Sequence, residues 1–212
     1  MLSRRALLTA AAAASVLPSW PAFAQEETDV APADLTESGG LKDISLGKPD
    51  APVKVYEYAS MTCPHCARFA KDVFPTIKEK YIDTGKVMWT MREYPLDPRA
   101  TAGFMLARCA GDDKYYPMID VLFAQQDSWA FVDQAQVLPG MLQIARQAGF
   151  SEEQFNKCLA DKDLFKGINA TKDRGANKLK IDGTPTFFVN GKRRSGEITL
   201  DEFTQLVDPM IK

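Results

Sequence analysis

The sequence has few groups that activate nucleophiles, with one histidine, His65, and four cysteines among 212 residues. Any hydrolase built on a Cys-His or Ser-His pair would have to use His65, which lies within two residues of Cys63. That spacing suits stabilisation of charge better than proton transfer to a bound acyl group. Zinc sites usually take four ligands, and the sequence has neither a second CxxC motif nor a histidine pair. We therefore predict no metal and no cofactor.

Neither sign of charge is in large excess, since 26 Lys and Arg face 28 Asp and Glu and give a net charge of −2. Removal of residues 1–24 would take away Arg4 and Arg5 and no acid, which leaves a net charge of −4. Nucleic-acid-binding domains usually carry a basic excess. The basic cluster Lys192-Arg193-Arg194 follows Asn190-Gly191 and is interpreted as the solvated tip of a hairpin. We therefore predict no nucleic-acid partner.

The amino terminus also lacks a long apolar run. The uncharged stretch from Ala6 to Leu17 has about 12 residues, whereas a transmembrane helix needs roughly 20. Arg4 and Arg5 precede this stretch and Ala22-Phe23-Ala24 follows it, which is the pattern of a secretory signal peptide. We expect residues 1–24 to be cleaved after Ala24 and the protein to be exported. An uncleaved anchor is the alternative, and the arginine pair also permits twin-arginine export.

The rest of the chain predicts a mixed sheet with a helical insertion. Residues 25–40 are acidic and rich in small side chains, which is typical of a flexible leader. Val53 to Ala59 and Lys86 to Tyr94 have the β-branched and aromatic composition of strands. Residues 95–178 show helical periodicity throughout. A strand from Thr186, a turn at Asn190-Gly191 and a last helix follow.

Cys63-Pro64-His65-Cys66 directly follows the first predicted strand and opens a helix. Pro64 fits the first helical position, where a missing N–H costs nothing. The Cys63 sulfur then faces unpaired backbone N–H groups and the positive end of the helix dipole, which favour thiolate over thiol. A protonated His65 would favour the thiolate further. A structural disulfide and a Cu(I) site at these residues remain alternatives.

Two further pairs of residues stand out. Thr184-Pro185 precedes a strand. A cis peptide bond there would leave the Thr184 backbone free to pair with an extended substrate. The alternative is an ordinary turn proline with a trans bond, which is the more common form of an X-Pro bond. Cys109 and Cys158 are 49 positions apart within the helical block. In an oxidising compartment we expect them to form a structural disulfide, worth roughly 4 kcal/mol in the chain-entropy model. Two buried free thiols are the alternative.

Taken together, Glu57-Tyr58-Ala59-Ser60 before the CPHC motif and Gly183-Thr184-Pro185-Thr186-Phe187 after the helical block resemble the DsbA family of periplasmic dithiol oxidases. The resemblance covers about residues 41–212. It implies an α/β thioredoxin-like fold with an inserted α-helical domain, residues 95–178, between 41–94 and 179–212. It further implies that Pro185 is cis and that Thr184 contacts the substrate backbone.

The resemblance also implies a mechanism. A substrate thiolate attacks Cys63, a mixed disulfide forms, and a second substrate thiol releases it, leaving Cys63 and Cys66 reduced. The implied partners are exported proteins with free thiols and a membrane oxidase of the DsbB type, with the protein itself monomeric. Glu57 is left open between a proton relay to Cys66 and an exposed strand residue.

Two other functions compete with dithiol oxidation. Relatives that act as isomerases or reductases also carry threonine before the proline, and they would keep Cys63 and Cys66 reduced in the cell. A metal-binding or chaperone-like module would use the same pocket without any dithiol oxidation. Cys63→Ala would abolish metal retention in that module.

Overall fold

The computed structural model describes residues 29–211, so the predicted signal peptide and its cleavage after Ala24 lie outside the described residues. A sheet of five strands has the order β1-β3-β2-β4-β5. The strands are β1 (Ser45–Leu46), β2 (Val53–Ala59), β3 (Val87–Glu93), β4 (Thr186–Val189) and β5 (Lys192–Ser195). β2 runs parallel to β3 and antiparallel to β4, so the sheet is mixed as predicted.

Eight α-helices accompany this sheet in the described chain. They are α1 (Pro64–Asp72), α2 (Phe74–Ile77), α3 (Pro98–Cys109), α4 (Tyr115–Ala124), α5 (Gln134–Gln147), α6 (Glu152–Leu159), α7 (Lys162–Lys178) and α8 (Leu200–Val207). The helices α3 to α7 lie between β3 and β4, which confirms the predicted insertion. Among the described residues, none of the helices combines the length and the apolar character that a bilayer crossing requires.

The local signals of the sequence explain several of these boundaries. Pro75 interrupts the predicted helix after the CPHC motif, because proline lacks the N–H that would continue the hydrogen-bond ladder; α1 ends at Asp72 and α2 begins at Phe74. Ser151 and Thr199 each cap a helix through a complete capping box.

The turn between β4 and β5 also follows its sequence signal. Asn190 and Gly191 have φ values of 47° and 91°, the positive values that a type I′ turn needs. The hairpin thus returns the chain antiparallel to β4, with Val189 opposite Lys192.

One continuous core joins the sheet to the insertion. Phe69 of α1 stacks on Trp89 of β3 with ring centroids 5.9 Å apart, and both side chains are buried. Phe104 and Tyr115 of the helical block belong to the same buried cluster. Burial of large aromatic side chains contributes most of the stabilisation in such a core. The helical block is therefore packed against the sheet rather than tethered to it.

The structure differs from the sequence prediction at residues 29–40, which pack against the sheet instead of forming a flexible leader. Leu35 is 1% exposed. The Val30 N–H donates to the Gly191 carbonyl at 2.9 Å, and the Arg174 guanidinium donates to the Glu37 and Asp34 carbonyls. Acidic composition suggested disorder, but these backbone acceptors and one buried leucine fix the segment.

The basic cluster after the hairpin turn is also partly internal. Lys192–Ser195 forms the edge strand β5, and Arg193 is only 7% exposed. The Arg193 guanidinium donates to the Lys180 carbonyl at 3.0 Å and to the Asp182 carboxylate at 3.1 Å. The prediction of a solvated tip is therefore wrong for Arg193, because paired guanidinium groups can be buried.

Candidate active site

Cys63 is the N-cap residue of α1, as the sequence predicts. Its backbone is extended, with φ −85° and ψ 118°, and Pro64 occupies the first helical turn. The Cys66 N–H points at the Cys63 Sγ across 3.5 Å, and the Sγ lies 3.2 Å from the Thr184 carbonyl oxygen. Both Cys63 and Cys66 are buried free thiols in this structure. The N-terminal end of α1 thus presents its unpaired N–H groups to one sulfur.

The two sulfurs differ strongly in acidity. A hydrogen bond from the Cys66 side chain is the largest influence that lowers the pKa of Cys63 to about 5, against an opposing effect of burial. Hydrogen bonding from Thr184 and from the backbone N–H groups of Cys66 and His65 adds to the lowering. Burial raises the pKa of Cys66 well above its ordinary value. Cys63 is therefore the stable thiolate and the good leaving group of the pair.

The His65 imidazole contacts two charged side chains. Its Nδ1 lies 3.1 Å from the Glu197 carboxylate and 2.6 Å from the Arg68 guanidinium, at the exposed surface. Burial is the largest single influence on Glu197 and raises its pKa, but the hydrogen bonds and charges of Arg68 and His65 together outweigh burial and lower that pKa. The contact of His65 with the thiolate is made by its backbone N–H. Sequence reasoning missed Glu197, which comes from the loop after β5.

Glu57 is buried in β2, 1% exposed, so the alternative of an exposed strand glutamate does not apply. Burial raises the pKa of Glu57 to about 8, against a lowering influence of the Trp89 indole and with a further increase from the Cys63 charge. The Glu57 charge in turn contributes to the raised pKa of Cys66. The signal in the sequence was an acid within an otherwise apolar strand.

The loop that carries Cys63 is held by the start of the insertion. The Thr62 hydroxyl donates to the Asp97 carboxylate at 2.6 Å, and the other oxygen of Asp97 caps α3 by accepting the Ala100 N–H. The Ser60 hydroxyl accepts the Leu96 N–H at 3.2 Å. The Thr62–Asp97 and Ser60–Leu96 contacts had no signal in the sequence, because they join residues about 35 positions apart that only the fold brings together.

The remaining predicted residues lie at two places. The Thr184-Pro185 peptide bond is cis and lies against Cys63. Cys109 and Cys158 form a disulfide with an S–S distance of 2.17 Å, which joins α3 to α6. Since Asp97 caps α3 beside the active-site loop and Cys109 ends it, this disulfide lies about 18 Å along the helix axis from the loop. The disulfide is therefore separate from the redox pair Cys63 and Cys66.

A reduced pair that contains a thiolate at a helix N-terminus, beside a buried acid and a cis proline, defines a thiol–disulfide oxidoreductase. Residues 40–209 match the model of the thioredoxin family. A Rickettsia felis protein whose name describes a protein-disulfide oxidoreductase is 32% identical over 193 residues, covering 91% of this chain and 68% of that protein. Disulfide bond formation protein D of Bacillus subtilis is 30% identical over 176 residues, covering 79% and 76%.

The chain is also similar to a solved structure. The crystal structure of alpha-DsbA1 from Wolbachia pipientis is 35% identical, covers 80% of this chain and 91% of its own, and superposes with a TM-score of 0.75. The chain belongs to the thioredoxin family and, within it, to the DsbA proteins, the disulfide oxidoreductases with a helical insertion.

The lowered pKa of Cys63 predicts that the stability of the reduced protein depends on pH. The folded thiol has a pKa of about 5 against an ordinary value of 9.0, so its stabilising contribution is complete above pH 9. This contribution is lost as the pH falls towards 5, at up to about 1.4 kcal/mol per pH unit. Urea unfolding of the reduced and disulfide forms at several pH values measures the difference. Parallel stability curves for the two forms would contradict the assignment.

Proposed function

We propose that this protein oxidises pairs of thiols in exported proteins, with Cys63 as the nucleophilic sulfur. The observation that carries the proposal is the N-cap position of Cys63, where hydrogen bonds lower the pKa of its thiol to about 5. A stabilised thiolate favours the reduced form of the enzyme. Each unit by which the Cys63 pKa falls below the ambient pH raises the reduction potential of this two-electron couple by about 30 mV. The Cys63–Cys66 disulfide is accordingly an oxidant.

The reaction begins from this disulfide. A substrate thiolate attacks the Cys63 sulfur, the Cys63–Cys66 bond breaks, and Cys66 leaves as a thiolate. Glu57 is proposed to give Cys66 a proton, since its pKa of about 8 keeps it protonated at neutral pH and its charge acts on Cys66. A second substrate thiolate then attacks the substrate sulfur of the mixed disulfide and displaces the Cys63 thiolate. The substrate loses two electrons, and the enzyme becomes the dithiol.

The substrate chain is proposed to contact Thr184 and Pro185, because the Thr184 carbonyl already lies beside the Cys63 sulfur. Pro64 and His65 complete the site, Pro64 by starting α1 and His65 through its backbone N–H. We assign a structural role to the Cys109–Cys158 disulfide, because it joins two helices of the insertion. We assign residues 41–94 and 179–212 to the redox domain and 95–178 to the inserted helical domain.

Catalytic turnover requires that the dithiol be oxidised again, and we propose a membrane oxidase of the DsbB type as the partner. A periplasmic location, with residues 1–24 removed, is supported by the Cys109–Cys158 disulfide, since disulfides persist in oxidising compartments. A monomer is supported by the packing of residues 29–40 on their own chain.

Equilibration of the Cys63–Cys66 pair with a glutathione buffer tests the proposed direction of the reaction. We expect a reduction potential at or above the value of about −180 mV that is typical of protein disulfide isomerase. A value close to that of thioredoxin, about −270 mV, would instead assign the protein to the reductases. Alkylation trapping in cells is the companion measurement, because an oxidase rests as the disulfide and an isomerase or reductase rests as the dithiol.

A further inference from the structure

The helical insertion reaches the active-site loop through one buried amide. Gln126 follows α4 and is 6% exposed. Its Nε2 donates to the Met61 carbonyl at 2.9 Å and to the Cys63 carbonyl at 3.1 Å. Both protons of the amide are therefore directed at the backbone on either side of Thr62. A buried carbonyl that loses a donor is destabilised, so this contact favours one loop conformation.

The turn that carries Gln126 is itself held firmly. The Gln126 carbonyl accepts the Ala130 N–H at 2.8 Å, and the buried Trp129 indole donates to the Leu122 carbonyl at 2.9 Å. A Cβ at Gly140 of α5 would lie only 2.5 Å from the Ser128 carbonyl oxygen, so the helix and the turn are in close contact. A Cβ at Gly103 of α3 would meet both Met61 and Trp129. The amide of Gln126 has little freedom to follow a shifted loop.

The Cys63 carbonyl is the important acceptor. It takes the first hydrogen bond of α1, from the Ala67 N–H at 3.1 Å, while the residue itself remains extended. The peptide orientation at Cys63 decides whether its sulfur faces the Cys66 N–H and the Thr184 carbonyl. A second donor that holds this carbonyl restrains the Cys63 peptide and with it the direction of the sulfur.

We propose that Gln126 is a positioning residue of the redox reaction, whose amide holds the Met61 and Cys63 carbonyls and thereby keeps the Cys63 sulfur directed at the N-terminus of α1. The inference rests on the proposed role of Cys63 as the nucleophile. Under this proposal the helical insertion contributes to the redox reaction, because it supplies the Gln126 amide that donates to the Met61 and Cys63 carbonyls. The hydrogen bonds that lower the pKa of Cys63, from the Cys66 side chain first and then from Thr184 and the backbone N–H groups of Cys66 and His65, depend on the direction of the Cys63 sulfur. A released loop therefore raises that pKa towards its ordinary value.

The test compares two glutamines of the same turn in the mature protein. Gln126→Met keeps the length of the side chain and removes both donors. Gln125→Met is the matched control, because the Gln125 amide donates to Gln147 on α5 at 3.3 Å. The readouts are the pH midpoint of the thiolate absorbance of Cys63 and the equilibrium with glutathione.

We expect Gln126→Met to raise the Cys63 midpoint and to shift the equilibrium constant about tenfold towards the disulfide, the equivalent of one pKa unit. Gln125→Met is expected to behave as the wild type. A Gln126→Met protein with the wild-type midpoint and equilibrium would overturn the proposal, and so would an equal shift in both variants. An effect on thermal stability alone would show a structural role and would also overturn it.

Gln126→Glu keeps the shape of the side chain and serves if Gln126→Met does not fold. A protonated carboxyl donates one of the two hydrogen bonds, and a carboxylate donates neither. We therefore expect the redox equilibrium of Gln126→Glu to approach the wild-type value in acid and to depart from it as the pH rises. Equality with the wild type at every pH would overturn the proposal. Cys63→Ala distinguishes the two failures. Dithiol oxidation that survives this change contradicts the role of Cys63 as the nucleophile, and the role of Gln126 with it. If Cys63→Ala abolishes oxidation and Gln126→Met keeps the wild-type midpoint and equilibrium, only the role of Gln126 is contradicted.

Discussion

Replacement of either Cys63 or Cys66 by serine is expected to abolish dithiol oxidation, because the reaction begins from the Cys63–Cys66 disulfide. Only Cys66→Ser, which keeps the Cys63 thiolate, is expected to form a mixed disulfide when it is offered an activated peptide disulfide. The two outcomes differ because only Cys63 combines a lowered pKa, about 5, with contact to Thr184 at the surface of the site. Cys66 is fully buried, and the pKa of its thiol is raised. A substrate sulfur can therefore reach Cys63 but not Cys66.

Non-reducing electrophoresis of the purified variants measures this difference, with an activated peptide disulfide as the probe for adducts and a dithiol peptide as the probe for oxidation. Cys66→Ser treated with an activated peptide disulfide should accumulate one covalent adduct through Cys63, and Cys63→Ser should form none. The control is the double variant Cys109→Ser/Cys158→Ser, whose sulfurs lie in the insertion and which should still oxidise the peptide. An adduct that forms equally through Cys66 would refute the proposed order of attack.

Asp43→Ala is expected to lower the free energy of unfolding by about 3 kcal/mol, in the range found when one partner of a buried ion pair is removed. The Arg92 side chain is 1% exposed, and two of its nitrogens donate to the Asp43 carboxylate at 2.9 and 2.7 Å. The same guanidinium donates to Tyr58 and to the Leu35 carbonyl. Without Asp43, a buried positive charge keeps only neutral acceptors.

Lys42→Ala provides the matched control for urea unfolding. Lys42 is the neighbour of Asp43 and pairs with Asp112 at 3.7 Å, but the two side chains are 86% and 69% exposed. Exposed pairs contribute about 0–1 kcal/mol, so little change is expected. The double variant Asp43→Ala/Arg92→Met should recover part of the loss, because it also removes the stranded charge. Equal losses in the free energy of unfolding for Asp43→Ala and Lys42→Ala would show that the Asp43–Arg92 pair stabilises the protein no more than an exposed pair does.

The sequence predicted most of the catalytic motif because its physics is local. The positions of Cys63 and Pro64 at the start of a helix follow from a strand pattern, a CxxC spacing and the tolerance of the first helical position for proline. The strand from Val53 to Ala59 has the predicted bounds. Capping boxes at Ser151 and Thr199 were equally readable, since each involves residues three positions apart.

The electrostatic details of the site depended on distant parts of the chain. The sequence suggested that the His65 imidazole would support the thiolate, but the fold brings Glu197 and Arg68 to that ring. It left Glu57 undecided, and only its place in a central strand fixed its burial and its pKa of about 8. The Glu197 contact has no sequence pattern, because it depends on which elements pack together. Arg68, by contrast, lies three positions from His65 on the same helix.

The sequence by itself determined the class of chemistry, the order of the elements and the acidic sulfur, because helix ends, turns and alternating strands are set by neighbours along the chain. The tertiary structure alone decided which groups surround that sulfur. Gln126 and Asp97 reach the active-site loop from the insertion, and Asp43 binds the amino-terminal segment to Arg92. The two residues of each contact lie far apart in the sequence: 35 positions for Thr62 and Asp97, 65 for Met61 and Gln126, and 49 for Asp43 and Arg92. Such contacts exist only after the core has packed.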